Sequence, residues 1–172
     1  AMQDPNPLVC GKGISALRSA GINVIVGILE EEAKKQNEAF IKYITTRKPF
    51  VVAKWAMTID GKIATENRDS KYISSLESLK FVHELRNEVD CILIGGNTAV
   101  IDNPYLTPRL VSKKLSKPRI RIILDKKAGL SEDLNIYKSR DIAETWIVTS
   151  IPDRRYPNAD KTIYLPPKDG KT

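Results

Sequence analysis

Residues 50–65 read FVVAKWAMTIDGKIAT, and the fold turns on how this stretch is read. Its first half is apolar and β-favouring, the composition of a buried strand. Its second half carries Asp60-Gly61, a turn dipeptide that admits positive φ. Side chains alternate across a strand. Val51, Ala53, Trp55 and Met57 therefore share one face, and Val52, Lys54, Ala56 and Thr58 share the other. The first face suits a core. The second is small and polar around one lysine, as the wall of a cleft is. An edge strand that presents Lys54 to water fits the same pattern.

Downstream, Cys91-Ile92-Leu93-Ile94 reads as a second buried strand running into Gly95-Gly96-Asn97-Thr98. Small residues at a strand's carboxyl end let backbone N–H groups approach a phosphate or amide. Thr98 is expected to cap the short helix that follows, and Asn97 to take the left-handed conformation. Further strands are expected at 119–124, 145–149 and 162–165. Between the first two strands, Ser74-Ser75-Leu76-Glu77 has the S-x-x-E spacing of a capping box, so a helix starts near Ser75. Leu79, Val82 and Arg86 follow at steps of three and four. Arg86 then projects from the packed side, or sits at its rim and snorkels outward. His83, the only histidine, is expected on the surface or a helix flank.

Upstream, residues 13–20 have helical spacing closed by Gly21, and 22–26 read as a short strand. Residues 29–46 read as one long helix with Glu30 to Glu32 at its N-terminus, where the dipole favours acid. Lys48-Pro49 breaks the chain, which places a domain boundary near Arg47. The first 46 residues hold too few elements for a domain of their own, and the last stretch, PPKDGKT, reads as a linker. The chain is therefore expected to be a piece of a longer polypeptide.

Composition sets outer limits. The chain has 172 residues, 41% hydrophobic and 28% charged, with a net charge of +7. That is ordinary for a globular protein, and no apolar run approaches the roughly 20 residues of a membrane span. Cys10 and Cys91 alone make neither a disulfide framework nor a metal-ligand spacing, which makes a reducing cytoplasm the default. Positive charge attracts nucleic acid or a small phosphorylated ligand. The densest run, KKLSKPRIR at 113–121, has no aromatic residue for base stacking. A basic, non-enzymatic nucleic-acid-binding module is the alternative to an enzyme.

Taken in order, several segments resemble one family: residues 1–50, AKWAMTIDGKIAT at 53–65, RDSKYIS at 68–74, ELRNEVDCILIGGNTAVIDNPYLTPR at 84–109 and RIILD at 121–125. The family is that of the bifunctional riboflavin-biosynthesis proteins, a pyrimidine deaminase half followed by a reductase half. The resemblance implies that 1–46 is the C-terminal remnant of a cytidine deaminase-like domain. It implies that 47–172 is the first part of a dihydrofolate reductase-like domain, an α/β fold with a mixed sheet flanked by helices. The implied reaction is NADPH-dependent reduction of the ribosyl group of 5-amino-6-(5-phosphoribosylamino)uracil to a ribityl chain. A dihydrofolate reductase proper would need an acidic residue to grip a pterin, whereas two arginines suit a phosphate.

Carried over residue by residue, Lys54 corresponds to the family lysine beside substrate and nicotinamide, where a cation polarises the group accepting hydride. Ala56, Tyr72, Thr98, Asp102 and Lys126 correspond to cofactor contacts. Ser70, Arg86, Leu106 and Arg109 correspond to contacts with the phosphorylated pyrimidine substrate. Tyr72 stands where the family often has Trp, and Lys126 where it more often has a small hydroxyl residue. Asp4 and Asn6 match a part of the deaminase that grips its substrate. The family's V-E-G-G segment is missing, as are the H-A-E and paired-cysteine motifs that hold zinc in the deaminase half. Deamination, zinc binding and a complete reductase site are therefore expected of the parent protein. The resemblance further implies a homodimer and no membrane or nucleic-acid partner.

Overall fold

The computed structural model of the chain describes residues 1–66, 73–111, 119–127 and 129–167. The chain divides into two compact units, Ala1–Trp55 and Ala56–Thr172.

In the first unit, helix α1 (Lys12–Ser19) closes as the glycine predicts. Gly21 stands at φ +77°. Its N–H donates to the Arg18 carbonyl at 3.0 Å, and the Ile22 N–H donates to the Leu17 carbonyl at 3.0 Å. These are the paired bonds of a Schellman end. The single helix expected over 29–46 is instead two, α2 (Glu30–Gln36) and α3 (Glu38–Thr46). They part at Asn37, whose Nδ2 donates back to the Ala33 carbonyl at 2.8 Å. Asn competes for helix carbonyls in this way, and the regular ladder breaks there. Residues 22–26 are not a strand. A strand needs a neighbour for its backbone groups, and the Val24 carbonyl takes the Arg18 guanidinium at 3.2 Å instead. No residue of this unit is buried. So short a chain removes too little surface from water to close a core.

The opening stretch also departs from expectation. Among the described residues, 50–57 are not part of a strand, although their apolar alternation fits one, because propensity alone does not bring a neighbouring strand alongside. The turn that follows forms as predicted. Gly61 has φ +82°, and its N–H donates to the Thr58 carbonyl at 2.9 Å, while the Thr58 N–H donates to the Lys62 carbonyl at 2.8 Å.

The second unit is a parallel α/β arrangement. Helix α4 (Leu76–Glu88) leads into β1 (Cys91–Gly95), α5 (Gly96–Asp102), β2 (Arg119–Asp125), a 3-10 turn (Asn135–Tyr137), β3 (Ala143–Thr149) and β4 (Lys161–Tyr164). Ser75 caps α4, its side-chain oxygen accepting from the Ser78 N–H at 3.2 Å, so the capping pair is Ser75–Ser78, one residue past the expected box. The described strands form a four-stranded sheet in the order β1-β2-β3-β4. Every neighbouring pair is parallel.

Alternation decides which side is covered. Arg121, Ile123 and Asp125 on β2, and Ala143, Thr145, Ile147 and Thr149 on β3, are buried. Ala99 of α5, with Leu106, Leu130, Leu134, Ile136 and Tyr156 from the connecting segments, packs with Ile123 and Ile147 as the core. On the other face Leu93 and Leu124 stay exposed. Because the strands are parallel, Gly95, Asp125, Thr149 and Tyr164 finish at one edge, the edge where ligands of open α/β sheets bind.

Candidate functional site

Two features of the second unit can hold a ligand. The first is a cleft of about 240 Å³ at the carboxyl edge, lined by Leu124, Asp125, Lys126, Val148, Thr149, Ser150, Leu165 and Pro167. It is smaller than the roughly 300–1,000 Å³ of pockets that enclose a whole ligand. Asp125 is its fixed point. One carboxylate oxygen accepts the Lys127 N–H at 3.1 Å and the other accepts the Tyr156 hydroxyl at 3.0 Å. Burial pushes the Tyr156 phenol up, and its bond to Asp125 adds to the shift. The Tyr137 phenol is pushed up to about 12 by burial, with smaller effects from Tyr156, Asp125 and Glu132. Lys126, beside Asp125, is exposed.

The Gly95-Gly96 turn meets this edge by close approach. A Cβ on Gly96 would lie 3.2 Å from the Leu124 carbonyl oxygen and 3.3 Å from the Asp125 carboxylate. The expected left-handed Asn97 and Thr98 cap do not occur. Gly95 is the N-cap of α5, so both residues lie inside that helix, and Asn97 keeps a negative φ. A strand that passes directly into a helix leaves no room for a separate capping residue. Thr98 and Asp102 are both exposed on α5.

The second feature is a cationic pair. Arg86 sits on the half-buried side of α4, one turn after His83, with Leu79 and Val82 on the same side. This settles its orientation in favour of the packed side. Burial, and then the neighbouring Arg109, hold its guanidinium below the ordinary range. Arg109 lies on the segment after α5, its guanidinium 5.2 Å from the centre of the Tyr105 ring. No described carboxylate pairs with either arginine. The segment is held tightly. Leu106 is buried with φ +53°, Thr107 is buried, and the Arg109 N–H donates to His83 Nδ1 at 3.0 Å. A non-glycine residue in the left-handed region costs of order 1 kcal/mol and marks a constrained loop. Of the two places the sequence allows His83, the surface or a helix flank, burial rules out the first, since it is 4% exposed on α4. As a lone histidine on a helix it gives no sequence signal of that role. Asp125 and Tyr156 escape sequence reasoning too, since they lie 31 positions apart and meet only across the fold.

The structure brings Arg86, Leu106 and Arg109 into one neighbourhood through His83, and sets Lys126 at the cleft. Ser70 and Tyr72 lie outside the described residues. Ala56 is half-buried at the start of the second unit, and Lys54 is exposed in the first. The basic run at 113–121 is described only at its end. There Arg119 donates to the Val89 and Asn87 carbonyls, and Arg121 to Tyr105, Ser139 and Ala143. The terminal nitrogens of both arginines are engaged inside the fold, which removes them from any nucleic-acid surface.

Residues 49–160 match the family described as the RibD C-terminal domain. The chain belongs to that family. A relative from Aquifex aeolicus, described as riboflavin biosynthesis protein RibD, is 45% identical over 149 residues, which is 87% of this chain and 41% of the relative. The chain thus spans about two fifths of the length of the curated relatives it matches. Among solved structures, the Thermotoga maritima diaminohydroxyphosphoribosylaminopyrimidine deaminase/5-amino-6-(5-phosphoribosylamino)uracil reductase matches with a TM-score of 0.81 at 41% identity, over 94% of this chain and 45% of its own. The riboflavin biosynthesis reductase Rib7 of Saccharomyces cerevisiae matches at 0.53 and 18% identity, over 80% of this chain and 59% of its own, a likeness of fold alone. The family's dihydrofolate reductase-like α/β fold is the one expected from the motifs. Among the described residues no helix is long and apolar enough to cross a membrane.

Proposed function

We propose that the chain is the reductase part of a two-activity riboflavin-pathway protein. It reduces the ribosyl group of 5-amino-6-(5-phosphoribosylamino)uracil to a ribityl chain with NADPH. The observation that carries this reading is the Arg86–Arg109 pair: two guanidiniums near enough to repel, one of them half-buried, with no described carboxylate between them. A phosphate monoester supplies the missing charge and the oxygen geometry that guanidinium forks match. The solved Thermotoga relative is described as a reductase of a substrate carrying such a group.

The carboxyl-edge cleft fits the nucleotide end of NADPH by its donor set. Asp125 is buried at its floor, each carboxylate oxygen accepting one hydrogen bond, from the Lys127 N–H and the Tyr156 hydroxyl. Lys126 offers the cation that a 2′-phosphate needs. The nicotinamide, when bound, supplies the hydride that the ribose-derived C1 receives. This chain's part is to hold the phosphate, seat the nucleotide and polarise the accepting group. In this reading Arg86, Arg109, Leu106 and Ser70 border the substrate, and Ala56, Tyr72, Thr98, Asp102 and Lys126 the cofactor. Lys54 is the polarising cation, a role that rests on the resemblance alone. The parent carries a zinc-dependent deaminase half, acts in the cytoplasm and pairs as a dimer.

Titrating the complete protein with NADPH while following nicotinamide fluorescence tests the reading. Saturable enhancement that ribose 5-phosphate modulates is expected. No binding by the complete protein overturns it.

A further inference from the structure

His83 is the buried titratable group that the proposed reduction leaves without a role. It lies one turn before Arg86 on α4, is 4% exposed, and accepts the Arg109 N–H on Nδ1 at 3.0 Å. A ring nitrogen accepts only while it carries no proton. Among the described residues the charged groups facing it are Arg86 from its own helix and Arg109 from the segment after α5, and no carboxylate is among them. Among the described residues, the Thr107 backbone favours the imidazolium.

We propose that His83 is a positioning residue for the phosphate site: its neutral Nδ1 anchors the Arg109 backbone and so seats the second guanidinium beside Arg86. The inference rests on reading that pair as the phosphate site. Leu106, buried in the left-handed region, gives the segment its turn. The Arg121 guanidinium holds the Tyr105 carbonyl at 3.0 Å on one side of Leu106, and His83 holds Arg109 on the other. Protonating His83 turns its acceptor into a donor, which opposes the Arg109 N–H, and adds a third positive charge beside two guanidiniums. Burial, then Arg86 and Arg109, push the imidazole below its ordinary range, which keeps the acceptor available at neutral pH.

His83 is the only histidine of the chain, so its ring nitrogens give unambiguous NMR signals. The inference requires the tautomer with the proton on Nε2. Binding of ribose 5-phosphate is measured at about pH 7.5, where a phosphate monoester is a dianion. His83→Leu is expected to weaken it roughly tenfold, the value of one lost hydrogen bond. His83→Asn, whose side-chain oxygen stands near the place of Nδ1, is expected to restore it to within about threefold. With inorganic sulfate, which keeps its charge across the range, wild-type affinity should fall as the pH drops through the titration of His83, and that of His83→Asn should stay flat. A proton on Nδ1, or equal pH profiles for wild type and His83→Asn, overturns the inference even if His83→Leu fails to fold. If Arg109→Ala loses ribose 5-phosphate while His83→Leu keeps it, His83 has no such role and the phosphate site stands. If Arg86→Ala and Arg109→Ala both bind as wild type does, the phosphate reading itself fails.

Discussion

Arg121 and the Arg86–Arg109 pair belong to the same unit and obey opposite rules. Arg121 is fully buried on β2 and surrounded by acceptors: the Tyr105 carbonyl at 3.0 Å, the Ser139 hydroxyl at 2.8 Å, and the Ser139 and Ala143 carbonyls. Burial pushes its guanidinium down to about 10, against the pull of Asp160 and Asp141. Arg86 and Arg109 bear comparable charge, and among the described residues neither has a carboxylate partner, Arg109 resting instead over the Tyr105 ring. A cation whose terminal nitrogens are bonded to buried acceptors holds the protein together. A partly desolvated cation beside a second one, as Arg86 is beside the exposed Arg109, costs stability until an anion arrives. The net charge of +7 therefore says little by itself; what matters is which cations the fold has already paired.

The sharpest way to break this contrast is Arg121→Ala. It strands several buried acceptors, each worth about 1–3 kcal/mol, so urea unfolding should register a loss above about 3 kcal/mol. A small loss would mean the buried guanidinium is not structural. Arg109→Ala should do the reverse. Ribose 5-phosphate affinity drops by about 1.5–3 kcal/mol, the worth of a hydrogen bond to a charged group, while the urea midpoint holds or rises because repulsion of Arg86 is relieved. Equal losses of stability from both variants would erase the distinction.

Gly96→Ala probes the other candidate feature. Its Cβ meets a backbone carbonyl oxygen at 3.2 Å, so overpacking should cost about 1–3 kcal/mol and loosen NADPH more than ribose 5-phosphate. The smallest effect expected is in pH. The His83 pKa is depressed in the folded chain, so the unfolded chain binds more protons below the ordinary imidazole value near 6.5. Its contribution is fully present above that value and is lost as the pH falls toward the depressed one. Urea midpoints should decline across that window in wild type and less steeply in Arg86→Ala, where one of the facing charges is gone.

Much of the second unit is legible in the sequence. The isoleucine-rich run of β2 and the strand at 91–94 form where local chemistry places them, as the Gly21 helix end does in the first unit, because alternation, branching and glycine φ act within a few residues. The 50–57 stretch has an equally strong pattern and forms no strand. Lys54 keeps its place in the argument through motif order and not through burial.

Within the site, the sequence marks Arg86 and Arg109 as candidates because family motifs carry them in fixed order. It leaves the place of His83 open, and it passes over Asp125 with Tyr156, because their partners lie 26 and 31 positions away.

By itself, then, the sequence determined the family and the strands and helix of the second unit that match their local pattern, since these follow from local propensity and ordered motifs; the expected mixed sheet is, among the described strands, wholly parallel. Only the tertiary structure decided which arginines donate to buried acceptors and which do not, and that a buried histidine links two segments. Those outcomes depend on desolvation and on acceptors brought together from distant parts of the chain, quantities that no local window of residues contains.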